Sequence, residues 1–143
     1  SLLKARTICK LTGLPAIADD SGICVDALGG APGLYSARYS GQGDTANNEK
    51  LLAEMANVPD ENRGAYFICV AAYVRPDGFE KVEEGRFYGK ILHQSKGSGG
   101  FGYDPLFQPE GLNCSSAELS AEEKDAISHR GKAMRAIAPY IIG

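Results

Sequence analysis

At 143 residues the chain is long enough for one domain with its own hydrophobic core and too short for two. Hydrophobic residues make up 43% and charged residues 23%, which excludes both intrinsic disorder and a fibrous repeat. Fifteen basic residues against 18 acidic ones give a net charge of -3, so there is no basic surplus to grip a nucleic-acid polymer, while a single nucleotide stays open as a ligand.

In chain order, Leu2, Leu3, Ala5, Ile8, Cys9 and Leu11 form a helical apolar stripe that Gly13 stops. Pro15 to Ala18 reads as a short strand, Asp19-Asp20-Ser21-Gly22 as an acidic turn, and Ile23 to Val25 as a second short strand. Gly29 to Gly33 is loop, Tyr35 to Tyr39 leads into a turn at Gly41 and Gly43, and a helix starts with Asp44 or Thr45 as N-cap and ends before Pro59. Ala65 to Val74, the turn Pro76-Asp77-Gly78 and Phe79 to Leu92 make a long antiparallel hairpin. Gly97 to Pro105 is a glycine-rich loop, and Ser120 with Glu123 is a capping box. Ser128 caps a last helix that Pro139 kinks or stops. Such a mixture predicts an α/β or α+β domain around a mixed sheet.

Cys9, Cys24, Cys69 and Cys114 are dispersed, with no C-x-x-C pair, and His93 and His129 are the only histidines. That spacing disfavours a zinc site and suits a reduced cytosolic protein. No apolar run approaches the roughly 20 residues of a membrane span, and no signal-peptide pattern opens the chain. The Asn113-Cys114-Ser115 sequon is then inert. The chain opens without Met on a helix that reads as already under way, the pattern of a fragment or a processed chain.

Three clusters bear chemistry. In Ala18 to Gly22, Asp19 and Asp20 suit Mg²⁺ ligation or proton removal from water, although alternation lets only one of them face a given cleft easily. A plain Asx turn is the other reading. The loop Lys96 to Pro105 matches G-x-G-x-x-G but opens no helix, so a dinucleotide site does not follow. Its Phe101, Gly102, Tyr103 and Asp104 suit a purine stacked on an aromatic face and read by backbone groups; aromatics plugging the core is the alternative. Lys124, His129 and Arg130 converge near a helix start, as an anion or base site or as a solvated charged face. Lys4 is a further phosphate contact or a surface lysine. There is no G-x-S-x-G elbow, and Gly85 to Lys90 has the wrong spacing for a P-loop. Together the clusters suggest nucleotide hydrolysis.

The blocks ADDSG at Ala18 to Gly22, ALGGAPGLYSARYSG at Ala27 to Gly41, GGFGYDPLF at Gly99 to Phe107 and AELSAEEKDAISHRGKA at Ala117 to Ala133 resemble the inosine/xanthosine triphosphate pyrophosphatase family, in order and from Leu3 to the end. The resemblance implies conversion of dITP, ITP and XTP to the monophosphate and pyrophosphate by a cytosolic, Mg²⁺-dependent homodimer, with no membrane partner. It implies an ITPase-like α/β fold, an elongated mixed sheet flanked by helices. Asp20 falls on the family's catalytic, Mg²⁺-associated acid, Asp19 on the adjoining metal carboxylate, and Ser21 on a substrate contact. Phe101, Gly102, Tyr103 and Asp104 match the purine-holding segment, Lys124, His129 and Arg130 the base contacts, and Lys4 a residue near the phosphates. The family's first strand, its S/T-x-x-N-x-x-K phosphate loop and a metal-binding Glu have no counterpart here. The expectation is therefore one domain over residues 1–143 without that strand and loop. A purine-binding or structural module without catalysis is the alternative to the enzyme.

Overall fold

A computed structural model describes residues 1–97 and 102–142. Its frame is a four-stranded antiparallel meander in the order β1 (Ala16–Val25), β2 (Gly64–Val74), β3 (Glu80–Ile91) and β4 (Phe107–Pro109). The expected sheet flanked by helices is present, and every strand pairing among the described residues is antiparallel. The helices are α1 (Leu2–Thr12), α2 (Asp44–Glu54), α3 (Ala121–Ile127) and α4 (His129–Ile142).

The acidic turn expected at Asp19 to Gly22 does not exist. β1 runs unbroken through it, because β2 offers a continuous partner from Ala16↔Val74 to Val25↔Ala65. Ten ladder pairings outweigh the local turn preference of Asp-Asp-Ser-Gly. Gly22 serves another purpose: a Cβ there would lie 2.3 Å from the carbonyl oxygen of Gly33, so its bare backbone admits the 3₁₀ turn Gly33–Arg38 against the strand.

Strand alternation sends Ala16 and Ala18 to one face, where with Ala72 and Val74 they pack on Ala5 and Cys9 of α1. On the other face, Ile23, Val25, Phe67, Phe87 and Phe107 meet Leu51 and Met55 around α2, and Cys69, Ala71 and Tyr73 meet Ala133 and Ile137 of α4. Buried Arg63 ties this core to its loops, donating to the carbonyls of Met55, Val58, Ile91 and Leu92.

The hairpin and α1 follow expectation, with Gly13 left-handed at φ 68°. α2 begins at Asp44 with Gly43 as its N-cap, so Asp44 lies inside the first turn. Ser120 accepts from the Glu123 amide at 3.1 Å while Glu123 returns to the Ser120 amide, completing the expected capping box. Ser128 accepts from the Gly131 amide at 3.1 Å, capping α4. Pro139 does not stop this helix, which continues to Ile142.

Candidate functional site

The site is assembled on the α4 face of the sheet, and Gly85 makes that possible. A Cβ at Gly85 would meet the His129 carbonyl oxygen at 2.3 Å and the Ala133 nitrogen at 2.7 Å, so the first turn of α4 rests directly on the β3 backbone. Phe67 and Phe87, paired across β2 and β3, then receive the His129 ring. The imidazole stacks on Phe67 at 4.9 Å between centroids and on Phe87 at 6.4 Å.

Only 9% of His129 is exposed, and its buried Nδ1 has no hydrogen-bond partner among the described residues. Burial, reinforced by the Lys124 charge, pushes its pKa down to about 4 despite Asp104 and Asp19 nearby, so the ring is neutral at physiological pH. Lys124, reaching from α3, forms an ion pair with buried Asp104 at the start of the 3₁₀ turn Asp104–Leu106. Asp19 lies 3.5 Å from Nε of Arg130.

These groups border a cleft of about 570 Å³, lined by Asp19, Ser21, Lys124, His129 and Arg130 among others. An adjoining recess of about 180 Å³ shares Ser21, Lys124 and His129 and adds Phe67, Gly102 and Tyr103. Of the residues singled out from sequence, the structure thus gathers Asp19, Ser21, Gly102, Tyr103, Asp104, Lys124, His129 and Arg130 around one concavity. Phe101, and with it Gly99 of the quoted block, lies outside the described residues.

Asp20 is not part of that gathering. One position from Asp19 on a continuous strand, its side chain leaves the opposite face, the face α1 covers. Lys4 is exposed on the first turn of α1. Asp19 and Asp20 therefore do not converge on one ion, as joint metal ligation requires. Among the described residues no group of three or more His, Cys, Asp or Glu side chains is arranged to hold a metal. Mg²⁺ commonly takes only one or two carboxylates and completes its shell with water and substrate phosphates. Asp20, 54% exposed at the side chain, fits that mode alone.

Two expectations for the glycine loop change. The Gly102 amide donates to Oδ2 of Asp44 at 3.1 Å and its carbonyl accepts from Nδ2 of Asn48 at 2.9 Å, so its backbone is committed to α2 and is not open to a base. Tyr103 is 4% exposed and donates to the Ser36 carbonyl at 2.6 Å, making it a wall of the recess and part of the core. Burial, aided by Asp44, pushes that phenol up to about 12. Sequence reasoning missed Asp44, Asn48, Phe67, Phe87 and Gly85. Asp44 was legible only as a cap, and nothing local to the other four reports a contact made across the fold.

The Ham1 family pattern matches residues 1–140. A dITP/XTP pyrophosphatase of Streptomyces coelicolor is 57% identical, over 99% of this chain and 72% of the relative. The crystal structure of a nucleoside-triphosphatase, dITP/XTP pyrophosphatase, from Mycobacterium abscessus superposes with a TM-score of 0.83 at 51% identity, covering 98% of this chain and 72% of that one. The Staphylococcus aureus Ham1 protein superposes with a TM-score of 0.92 at 43% identity, covering 99% and 73%.

Proposed function

The chain belongs to the Ham1 family, and from that premise we propose that it hydrolyses 6-oxo purine nucleoside triphosphates, dITP, ITP and XTP, to the monophosphate and pyrophosphate. The observation that carries this reading is the cleft in which an uncharged His129 lies with the Lys124–Asp104 pair and Arg130. Cationic donors here complement the O6 acceptor of hypoxanthine or xanthine. The 6-amino group of adenine brings a donor against these donors, the kind of mismatch that rejects an analogue strongly. Buried Asp104 directs Lys124 through their ion pair.

In this reading the purine lies on the His129 side of β1 and the phosphates turn toward Asp20 on the other side. Asp20 takes the proton of the attacking water as its oxygen bonds to phosphorus and the bond to the departing pyrophosphate breaks. Mg²⁺, when held by Asp20 and the substrate phosphates, supplies neutralisation of their charge. Ser21, adjacent to Asp20 and lining the cleft, contacts the nucleotide between the two ends. Asp19 faces the base, and the exposed Lys4, on the helix that covers the Asp20 face of β1, adds positive charge for the phosphates. The assembly is a homodimer and the compartment the cytosol, a setting that suits four unpaired cysteines.

The test is pyrophosphate release from dITP, XTP and dATP with Mg²⁺. Turnover of dITP and XTP well above dATP is expected, and Asp20→Asn is expected to lower it by roughly 10²- to 10⁴-fold while inosine monophosphate still binds. Equal turnover of dATP and dITP overturns the reading.

A further inference from the structure

We infer that Asp19 acts through Arg130 to set purine selectivity, as a positioning residue and not as a partner of Asp20 at a metal ion; this rests on the reading of the cleft as a purine site. The β1 ladder carries the argument. Asp19 and Ser21 stand opposite Ala71 and Cys69 of β2, two residues packed against α4. Asp20 stands opposite Val70, on the α1 face. The carboxylate of Asp19 is consequently a wall of the cleft that holds His129.

There it meets Arg130 through Nε at 3.5 Å, and among the described residues the terminal amino groups of that guanidinium have no hydrogen-bond partner. Asp19 is the more sheltered member of the pair, with 29% of its side chain exposed against 60% for Arg130. Fixed on the central part of a ten-residue strand, it anchors a long side chain that otherwise samples many rotamers. The cleft then has a matched construction: Asp104 orients Lys124, and Asp19 orients Arg130, each cationic donor with its own carboxylate beside the neutral imidazole. Without the anchor, ordering Arg130 falls on the binding step and weakens the preferred base more than one that makes no use of the guanidinium.

The experiment measures calorimetric affinities of inosine monophosphate and adenosine monophosphate without Mg²⁺, where the ratio cancels the changed charge near the phosphate. Asp19→Asn is expected to lower the inosine-to-adenosine affinity ratio by about three- to tenfold, the scale of ordering one long side chain. It should lower the ratio no further in an Arg130→Ala background, as two residues acting as one unit require. Arg130→Lys, which keeps the charge and loses Nε, should reproduce the fall, Asp19→Glu should recover part of it, and Asp20→Asn should leave it unchanged. An unchanged ratio in Asp19→Asn, or a fall that adds fully to that of Arg130→Ala, overturns the inference while leaving the purine site standing. A parental chain with no preference for inosine overturns the site itself, and the inference with it.

Discussion

Lowering the pH should destabilise this protein through His129. The ring is pinned between the aromatic pair Phe67 and Phe87 and the first turn of α4, with Lys124 and Arg130 as nearby cations and Asp104 and Asp19 as the opposing carboxylates. Its folded value of about 4 lies below the ordinary 6.5, so the unfolded chain binds the proton more readily. Stability therefore rises with pH between about 4 and 6.5 and is fully present above that window. At about 1.36 kcal/mol per pH unit the whole displacement is worth roughly 3 kcal/mol, of which about 2 kcal/mol is lost on going from pH 7 to pH 5. The carboxylates of Asp77, held low by the Phe79 amide, and Glu80, held low by Arg6, lose their contribution only below their ordinary 3.8 and 4.5. These two carboxylates titrate below the window from pH 5 to 7 in which His129 acts. Urea unfolding at pH 7 and pH 5 reads the difference, and His129→Phe, which keeps an aromatic ring on Phe67, should remove about 2 kcal/mol of it. If the variant lost as much stability as the parent between the two pH values, the buried neutral imidazole would not be the sensor and the reasoning would fail.

Gly85→Ala should cost about 1–3 kcal/mol and weaken inosine monophosphate binding as well, because its methyl drives the His129 turn off β3; thermal melts and calorimetry read the two effects. Asn48→Ala should cost about 1 kcal/mol by freeing the Gly102 carbonyl, and the loss should be seen as faster proteolysis in the loop at Gly102, with a parental cleavage rate counting against the clamp. Arg63→Met leaves four carbonyls without their donor, and a loss of at least about 3 kcal/mol in urea unfolding is expected; a near-neutral result would mean water replaces the guanidinium.

Local chemistry is enough to determine much of the frame. The left-handed Gly13 after α1, the capping box of Ser120 and Glu123, and the Pro76-Asp77-Gly78 turn between β2 and β3 act within a few residues, and such signals are legible without a fold. The four ordered blocks likewise carried the resemblance to the family and held eight of the residues now found around one concavity. What tertiary structure decided was orientation. Asp19-Asp20-Ser21-Gly22 has the residues of a turn, and only ten pairings with β2 make it a straight strand that sends its two carboxylates to opposite faces. Gly102 and Tyr103 have the look of an open reading loop, yet bonds from α2 and from Ser36 close them into the wall. Lys124, His129 and Arg130 have the composition of a solvated face; it is the bare backbone of Gly85 and the stacked pair Phe67 and Phe87 that bury the imidazole and hold it neutral. Charge and periodicity are properties of neighbours in the chain, whereas burial, pairing and the side of a strand are set by partners many residues away, and a pKa follows those partners.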